Sequence, residues 1–174
     1  MEITEILNQI NDQQDKQYQL NQEDLDECNH FAEITAPNHN SNGRSLAEKK
    51  FHIKFGKMGE RAFYNILKSL SYSEFFTISN INFVNNLKGD GGIDFTINNN
   101  NIDVKTIESR FQRVYFKEAG SWEIISVMSI DKNIGTYIGS LFKNDVLRKK
   151  QYDSQKAAYF IYKTEFLNNF NINI

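Results

Sequence analysis

The clearest hydrophobic pattern in the chain lies between Leu46 and Leu70, where apolar residues recur every three or four positions. This spacing puts them on one stripe of an α-helix and predicts an amphipathic helix that buries the stripe. The apolar positions are Phe55, Met58, Ala62, Phe63, Ile66, Leu67 and Leu70. A shorter stretch with helical spacing, residues 3–10, predicts a second helix near the N-terminus.

Short runs rich in β-branched and aromatic residues follow the long helix and predict strands. They cover residues 75–78, 81–84, 93–97, 102–107, 124–130, 136–142 and 159–162. Helical composition over 143–153 separates the last two runs, and a final helix is predicted over 164–170. This order predicts an α/β (α+β) fold with a mixed central β-sheet flanked by helices.

Residues 35–45, with the sequence TAPNHNSNGRS, concentrate residue types that favour turns. We expect this loop to divide an N-terminal extension, residues 1–45, from the main domain, residues 46–174. Residues 12–27 are polar on every side, a pattern compatible with a solvated helix or a flexible arm. The extension is therefore expected to be helical or flexible.

Composition narrows the class of protein. The chain has 174 residues, of which 40% are hydrophobic and 13% aromatic, too apolar for a disordered chain. Its net charge of -2 gives no long-range attraction to polyanions, so any nucleic-acid contact needs a local basic patch. No apolar run is long enough to span a membrane, the N-terminus lacks the features of a signal peptide, and the single cysteine, Cys28, fits a reducing compartment. We therefore expect a cytoplasmic protein without a membrane partner.

The segment most indicative of chemistry is KGDGGIDFTINNNNIDVKT, residues 88–106. Two predicted strands flank a run of asparagines, which tolerate the positive φ that a tight turn needs. A turn centred on 99–100 would place Asp94 opposite Lys105. Strand alternation then brings Asp94, Asp103 and Lys105 to one face.

Two carboxylates so close together repel, and a divalent cation with oxygen ligands relieves the repulsion. Mg²⁺ or Mn²⁺ suits this donor set and accepts a substrate phosphate as a further ligand, which predicts phosphodiester hydrolysis. Lys105 would orient the attacking water and stabilise transition-state charge, or deprotonate that water. The structural alternative is an exposed strand face with an ordinary Asp94–Lys105 ion pair.

A third acid, Glu60, lies at the edge of the apolar stripe of the long helix. Gly56 and Gly59 precede it and allow close approach of the backbone. Glu60 is therefore a candidate to complete the metal site. The alternative is a solvated helix residue.

These motifs together resemble the PD-(D/E)XK nuclease superfamily, particularly its restriction-endonuclease-like and Mrr-like members. The matching features are Glu60 within GKMGE, GGIDF at 91–95, and IDVKT at 102–106. The resemblance covers residues 56–106. It implies a restriction-endonuclease-like core and a Mg²⁺-dependent endonuclease that acts on DNA rather than RNA, as a homodimer, in restriction, phage defence or a mobile element.

The resemblance also implies roles for individual residues. Glu60, Asp94 and Asp103 would bind one or two divalent metal ions, and Lys105 would assist the hydrolytic water. One departure from the family pattern is the absence of a proline before Asp94, where Ile93 stands.

Candidate contacts to nucleic acid follow the second motif strand. Cations there would meet phosphates and the interleaved rings would meet bases; the alternative is a solvated charged face. The cations are Arg110, Arg113 and Lys117, and the rings are Phe111, Tyr115 and Phe116. A second basic patch lies within residues 143–150. The sequence thus predicts a metal-dependent endodeoxyribonuclease, with an inactive nucleic-acid-binding or interaction module and an RNA-processing nuclease as alternatives.

Overall fold

The computed structural model describes residues 3–39, 43–68, 78–79, 93–97 and 99–167, which form a mixed α and β structure. In chain order the elements are α1 (Ile3–Asn11), β1 (Gln17–Gln19), α2 (Gln22–Thr35), a 3₁₀ turn (Ala36–Asn38), α3 (Leu46–Lys68), β2 (Ile78–Ser79), β3 (Phe95–Ile97), β4 (Asn100–Glu108), β5 (Arg113–Phe116), β6 (Ile124–Asp131), β7 (Ile134–Phe142), α4 (Lys143–Lys149), β8 (Gln151–Asp153), β9 (Ala158–Tyr162) and α5 (Thr164–Leu167). None of the helices in these ranges combines the length and apolarity required to cross a bilayer.

Two sheets organise the chain. Six strands form the larger sheet in the order β1-β7-β6-β4-β3-β2, and three form the smaller one in the order β5-β9-β8. Strands β4 and β6 are parallel, whereas the other described neighbours in the larger sheet are antiparallel. The predicted α/β (α+β) class with a mixed sheet and helices is therefore confirmed at this level.

The hydrophobic core has two layers, one on each face of the larger sheet. On one face, Ile102 and Val104 of β4 pack in a cluster with residues of α3 such as Phe63. The other face contributes Ile107 of β4 and Ile125 of β6 to a second cluster with β5, β9, α4 and α5. Because side chains alternate between the two faces of β4, this strand contributes residues to both layers.

The N-terminal residues are integrated into this core. Strand β1, which the polar pattern did not predict, pairs with β7 at the edge of the larger sheet. Ile10 of α1 and Cys28 of α2 have no exposed surface. An ion pair between Asp24 and Arg61, with Nε to Oδ1 at 2.7 Å, joins α2 to α3. Residues 3–39 therefore help to position the long helix.

The β3–β4 hairpin has a different register from the predicted one. Ile97 pairs with Asn100 and Phe95 with Ile102, and Asn99 has a φ of 67°. The turn therefore lies one residue earlier than predicted, and the predicted pairing of Asp94 with Lys105 is wrong. Pairing shifts by two positions, which leaves the side chains of β3 and β4 on their predicted faces.

The other predicted helices and strands are confirmed in part. Helix α3 is confirmed as far as Lys68, and the strands over 124–130, 136–142 and 159–162 are confirmed by β6, β7 and β9. The predicted helix over 143–153 ends at Lys149, because the chain turns extended at Lys150 and β8 pairs with β9. The predicted strand over 81–84, most of 75–78, and residues 168–170 lie outside the described residues.

Close packing of α3 on β4 depends on Gly59. A Cβ at this position would collide with Thr106 Oγ1, which donates a hydrogen bond to the Gly56 carbonyl oxygen at 3.2 Å. We expect Gly59→Ala to lower the free energy of unfolding by about 1–3 kcal/mol, the usual cost of overpacking. Gly56→Ala is the matched control: it meets nothing within 4 Å and should stabilise the helix by about 0.5–1 kcal/mol. Equal effects in thermal unfolding would contradict this packing.

Candidate active site

Asp94 is tied to β4 by two hydrogen bonds at the point where β3 begins. Its backbone amide donates to the Ile102 carbonyl oxygen at 2.9 Å. Its side-chain Oδ2 accepts a hydrogen bond from the Val104 amide at 2.7 Å. The second bond holds the Asp94 carboxylate at the β4 backbone near Asp103, whose charge acts on it.

Asp103 and Lys105 form an ion pair along β4. Asp103 is only 4% exposed, and Lys105 Nζ donates a hydrogen bond to its Oδ1 at 2.7 Å and lies 2.6 Å from its Oδ2. The Lys105 side chain retains 27% of its exposure. The lysine therefore contacts the acid two positions before it rather than Asp94 across the hairpin, and its ammonium group stays accessible to solvent.

Glu60 is a largely buried acid rather than a solvated helix residue. Its side chain is 16% exposed, and Oε2 accepts from the ammonium group of Lys57 one turn earlier in α3. Lys57 Nζ also lies 4.8 Å from the centroid of the Phe31 ring of α2. Lys57 is a site residue that the sequence analysis missed, although its place in GKMGE was a signal for an i,i+3 ion pair.

The carboxylates of Glu60 and Asp103 both act on the pKa of Asp94. Burial raises the pKa of Asp94 well above its usual range, and the carboxylates of Glu60 and Asp103 raise it further. Lys57 and the hydrogen bond from the Val104 amide oppose this shift. The like charges of Glu60 and Asp103 therefore act on a single carboxyl group.

Glu60 and Asp103 lie on different sides of β4. Val104 packs in the core layer beneath α3 and Thr106 contacts α3, so alternation puts Asp103 and Lys105 on the face away from that helix. Glu60, on α3, lies on the opposite side. Asp94, just before the start of β3, is acted on by the charges of both carboxylates.

The donor chemistry fits Mg²⁺ or Mn²⁺, which prefer carboxylate oxygens. Yet among the described residues no three acidic, histidine or cysteine side chains stand together closely enough to hold a metal ion. Glu60 lies on the α3 side of β4 and Asp103 on the other, and each already contacts an ammonium group, that of Lys57 and of Lys105 respectively. Binding of a cation by the three acids would require these ammonium groups to give way.

The predicted nucleic-acid contacts divide into two groups. Arg110 and Arg113 line a cleft that also includes Lys105. Lys117 is exposed but is not among the lining residues of that cleft; its carbonyl oxygen accepts from Trp122 Nε1 at 3.1 Å. The structure thus brings two of the three predicted contacts near the candidate catalytic lysine.

The second basic patch is occupied by contacts within the chain. Lys143 Nζ donates to the Gly120 carbonyl oxygen at 2.8 Å. The other three cations form ion pairs: Arg148 with Asp145, Lys149 with Glu165, and Lys150 with Glu118. These contacts fasten α4 and the start of β8 to neighbouring segments, which favours a structural role for the patch.

Comparisons with known proteins add no family assignment. No family model matches the chain, and neither a curated protein nor a solved structure matches it. The basis for a function is therefore the chemistry of the described side chains.

Proposed function

We propose that this protein is a metal-dependent nuclease, an endodeoxyribonuclease that hydrolyses phosphodiester bonds with Mg²⁺ or Mn²⁺. The observation that carries the proposal is the buried Asp103 carboxylate held on both oxygens by Lys105, with Asp94 hydrogen-bonded to the intervening Val104. Two acids and an ammonium group so arranged supply ligands for a cation and a positive charge for the phosphate.

Each residue has a role in this proposal. Glu60, Asp94 and Asp103 would hold the metal ion, which when bound supplies Lewis-acid polarisation of the phosphate. Lys105 donates hydrogen bonds to the attacking water and to the phosphoryl oxygens. The water oxygen bonds to phosphorus as the ester bond to the leaving sugar oxygen breaks; the attacking water gives its proton to bulk water, and the leaving oxygen takes a proton from bulk water. The contact of Lys105 with both Asp103 oxygens supports the orienting role over that of a base.

Cleavage assays test the proposal. Supercoiled plasmid, linear duplex and RNA are incubated with Mg²⁺, Mn²⁺ or EDTA, and we expect metal-dependent cleavage that Asp103→Asn abolishes. Asp12→Asn is the control, because Asp12 is an exposed acid of the α1–β1 turn and its change should leave cleavage intact. Cleavage that persists in EDTA, or in Asp103→Asn, would refute the proposed mechanism.

A second candidate is a nucleic-acid-binding module of the same fold that does not cut. The observation in its favour is that Lys57 and Lys105 already neutralise Glu60 and Asp103, as structural ion pairs would. Binding without cleavage under every metal condition supports this module. Preference for the RNA substrate in the same assays supports the RNA-processing alternative.

The proposal includes a restriction-endonuclease-like core and a homodimer. Support for the core is the order of α3, the β3–β4 hairpin and the mixed sheet on which the helix packs. Sedimentation velocity tests the homodimer, which should have twice the 20.3 kDa mass of one chain.

A further inference from the structure

A cleft of about 500 Å³ opens beside the candidate site. The N-terminal half of α3 forms one wall, and the end of β4 with β5 forms the other. Lys105 and Thr106 belong to its lining, so the cleft is continuous with the ammonium group that contacts Asp103. Its volume falls within the roughly 300–1,000 Å³ of ligand pockets.

Exposed aromatic rings stand on both walls. Phe51 of α3 is 55% exposed and Phe111, just before β5, is 49% exposed. Phe51 also stacks on Phe55, with ring centroids 5.9 Å apart and an interplanar angle of 16°. Large rings left in water at a cleft mark a binding surface, and flat rings suit flat ligands.

The same lining is cationic although the whole chain is slightly acidic. Lys105, Arg110, Arg113 and Lys156 contribute four positive charges, against the one carboxylate of Glu108. Three of these cations have carboxylate partners: Arg110 pairs with Glu108, Arg113 with Asp153 and Lys105 with Asp103. Lys156 adds a further positive charge, and the exposed guanidinium groups of Arg110 and Arg113 can still contact an anion, so the lining favours an anionic occupant.

Cations and rings alternate within the cleft. The Arg110 guanidinium carbon lies 5.0 Å from the Phe111 centroid, and Lys156 Nζ lies 4.2 Å from the Tyr115 centroid. Surfaces that bind unpaired nucleotides have this composition, because bases stack on the rings while cations contact the phosphates between them. Stacked base pairs of a duplex do not offer their faces to such rings.

A second cavity extends the surface beyond one nucleotide. It has a volume of about 640 Å³ and shares Phe51, Phe55, Glu108 and Arg110 with the cleft. Further along, its lining contains Lys54 and Lys132. Because they share these lining residues, the two cavities adjoin at the Phe51–Phe55 pair, and we call the two together the groove.

We infer that this groove binds unpaired nucleotides, so that the substrate of the proposed nuclease is single-stranded nucleic acid. Binding to the groove stands on the contacts above, whereas the assignment as substrate rests on the proposed function. A single-stranded substrate does not require the homodimer that cutting of both strands would favour.

Fluorescence anisotropy in EDTA measures binding without cleavage. The probes are labelled oligo(dT), oligo(U) and a duplex of equal length and mixed sequence. We expect one or both single strands to bind at least tenfold more tightly than the duplex, and the comparison of oligo(dT) with oligo(U) decides between DNA and RNA. Equal or tighter binding of the duplex would overturn the inference.

Substitutions in the groove make the test specific. Phe51→Ala and Phe111→Ala should each weaken single-strand binding roughly 5- to 150-fold, the usual range for one lost stacking contact. Phe111→Trp keeps a flat ring at this position and should therefore keep single-strand binding near the wild-type level. The control is Tyr152→Ala, which removes a 59% exposed ring of β8 outside the groove. Since these rings are about half exposed, thermal unfolding should change little.

The salt dependence provides a readout that a structural role would not move. Lys156→Gln should reduce the slope of log affinity against log salt by about 0.7, the value for one lost phosphate contact to a single strand. An unchanged slope would show that Lys156 contacts no phosphate. Weaker self-association of Phe51→Ala with unchanged nucleic-acid binding would show that the rings serve another purpose. Either result would overturn the inference.

The two proposals fail separately. Single-strand binding that depends on Phe51 and Phe111, without cleavage under any metal condition, would support the groove and refute the nuclease. Metal-dependent cleavage of duplex that is unaffected by the phenylalanine substitutions would support the nuclease and refute the groove.

Discussion

Asp94→Asn is expected to stabilise the protein in the absence of divalent metal and, in the same variant, to abolish metal-dependent cleavage. The Asp94 carboxyl is desolvated and faces the charges of Glu60 and Asp103. Asparagine keeps an oxygen that accepts from the Val104 amide but carries no charge. Relief of buried like charge should contribute about 1–2 kcal/mol, which raises Tm by roughly 2–8 °C for a chain of this length.

The stabilisation should depend on pH in a defined direction. Because the pKa of Asp94 is raised in the folded protein, the folded state keeps a proton that the unfolded state has already lost. This contribution is present below the ordinary aspartate pKa of about 3.9 and is lost as pH rises from there through the raised pKa. The advantage of Asp94→Asn over the wild type should therefore grow with pH in thermal unfolding experiments across that window.

Divalent metal should reverse the order of stability, so that the wild type becomes more stable than Asp94→Asn. Mg²⁺ or Mn²⁺ that binds only the folded state stabilises it by about 2.7 kcal/mol at 100 times the dissociation constant. The wild type should show this gain, whereas Asp94→Asn, with one ligand removed, should not. Asp12→Asn should respond as the wild type does. Destabilisation by Asp94→Asn without metal, or an intact response to metal, would contradict the proposed site.

The hairpin shows which parts of the site were predictable from sequence. Alternation of apolar and polar residues correctly predicted that Ile102 and Val104 share the face of β4 that enters the core beneath α3, because the period of a strand is fixed. The turn position was wrong because four consecutive asparagines all tolerate positive φ, so local preference does not choose among them. The register was decided by the packing of the strands.

The ion pairs of the site were less predictable because burial defines them. A lysine three residues before a glutamate is common on solvated helices, and only contact with Phe31 of α2 makes Lys57 part of a buried site. Asp24 lies in a polar stretch, yet it is 3% exposed and pairs with Arg61, 37 residues away. Such long-range contacts leave no local pattern in the sequence.

Strand β5, in contrast, does have a local pattern in the sequence, although its charged residues partly mask it. Val114 and Phe116 are buried, whereas Arg113 is exposed and Tyr115 is half-buried, the alternation of a strand with one face on the core. The prediction for this run was limited to cations with interleaved rings. Both descriptions hold, since the strand buries one face and lines the cleft with the other.

Lys105→Met is expected to lower both stability and cleavage. It removes the ammonium group from a carboxylate that is only 5% exposed. Breaking a fully buried ion pair costs about 3–5 kcal/mol; because Lys105 is partly solvated, we expect about 2–3 kcal/mol and a fall in Tm of roughly 4–12 °C. Loss of one group that stabilises transition-state charge should reduce the cleavage rate by about 10²- to 10³-fold.

A double-mutant cycle separates the two roles of Lys105. Asp103→Asn with Lys105→Met removes both charges, so most of the lost stability should return while cleavage stays abolished. Lys105→Arg keeps the charge and should keep the stability, but the planar guanidinium places its donors differently and should not restore the full cleavage rate. If Lys105→Met instead cuts at the wild-type rate, Lys105 is only the partner of Asp103, and the ion pair belongs to the scaffold rather than to the reaction.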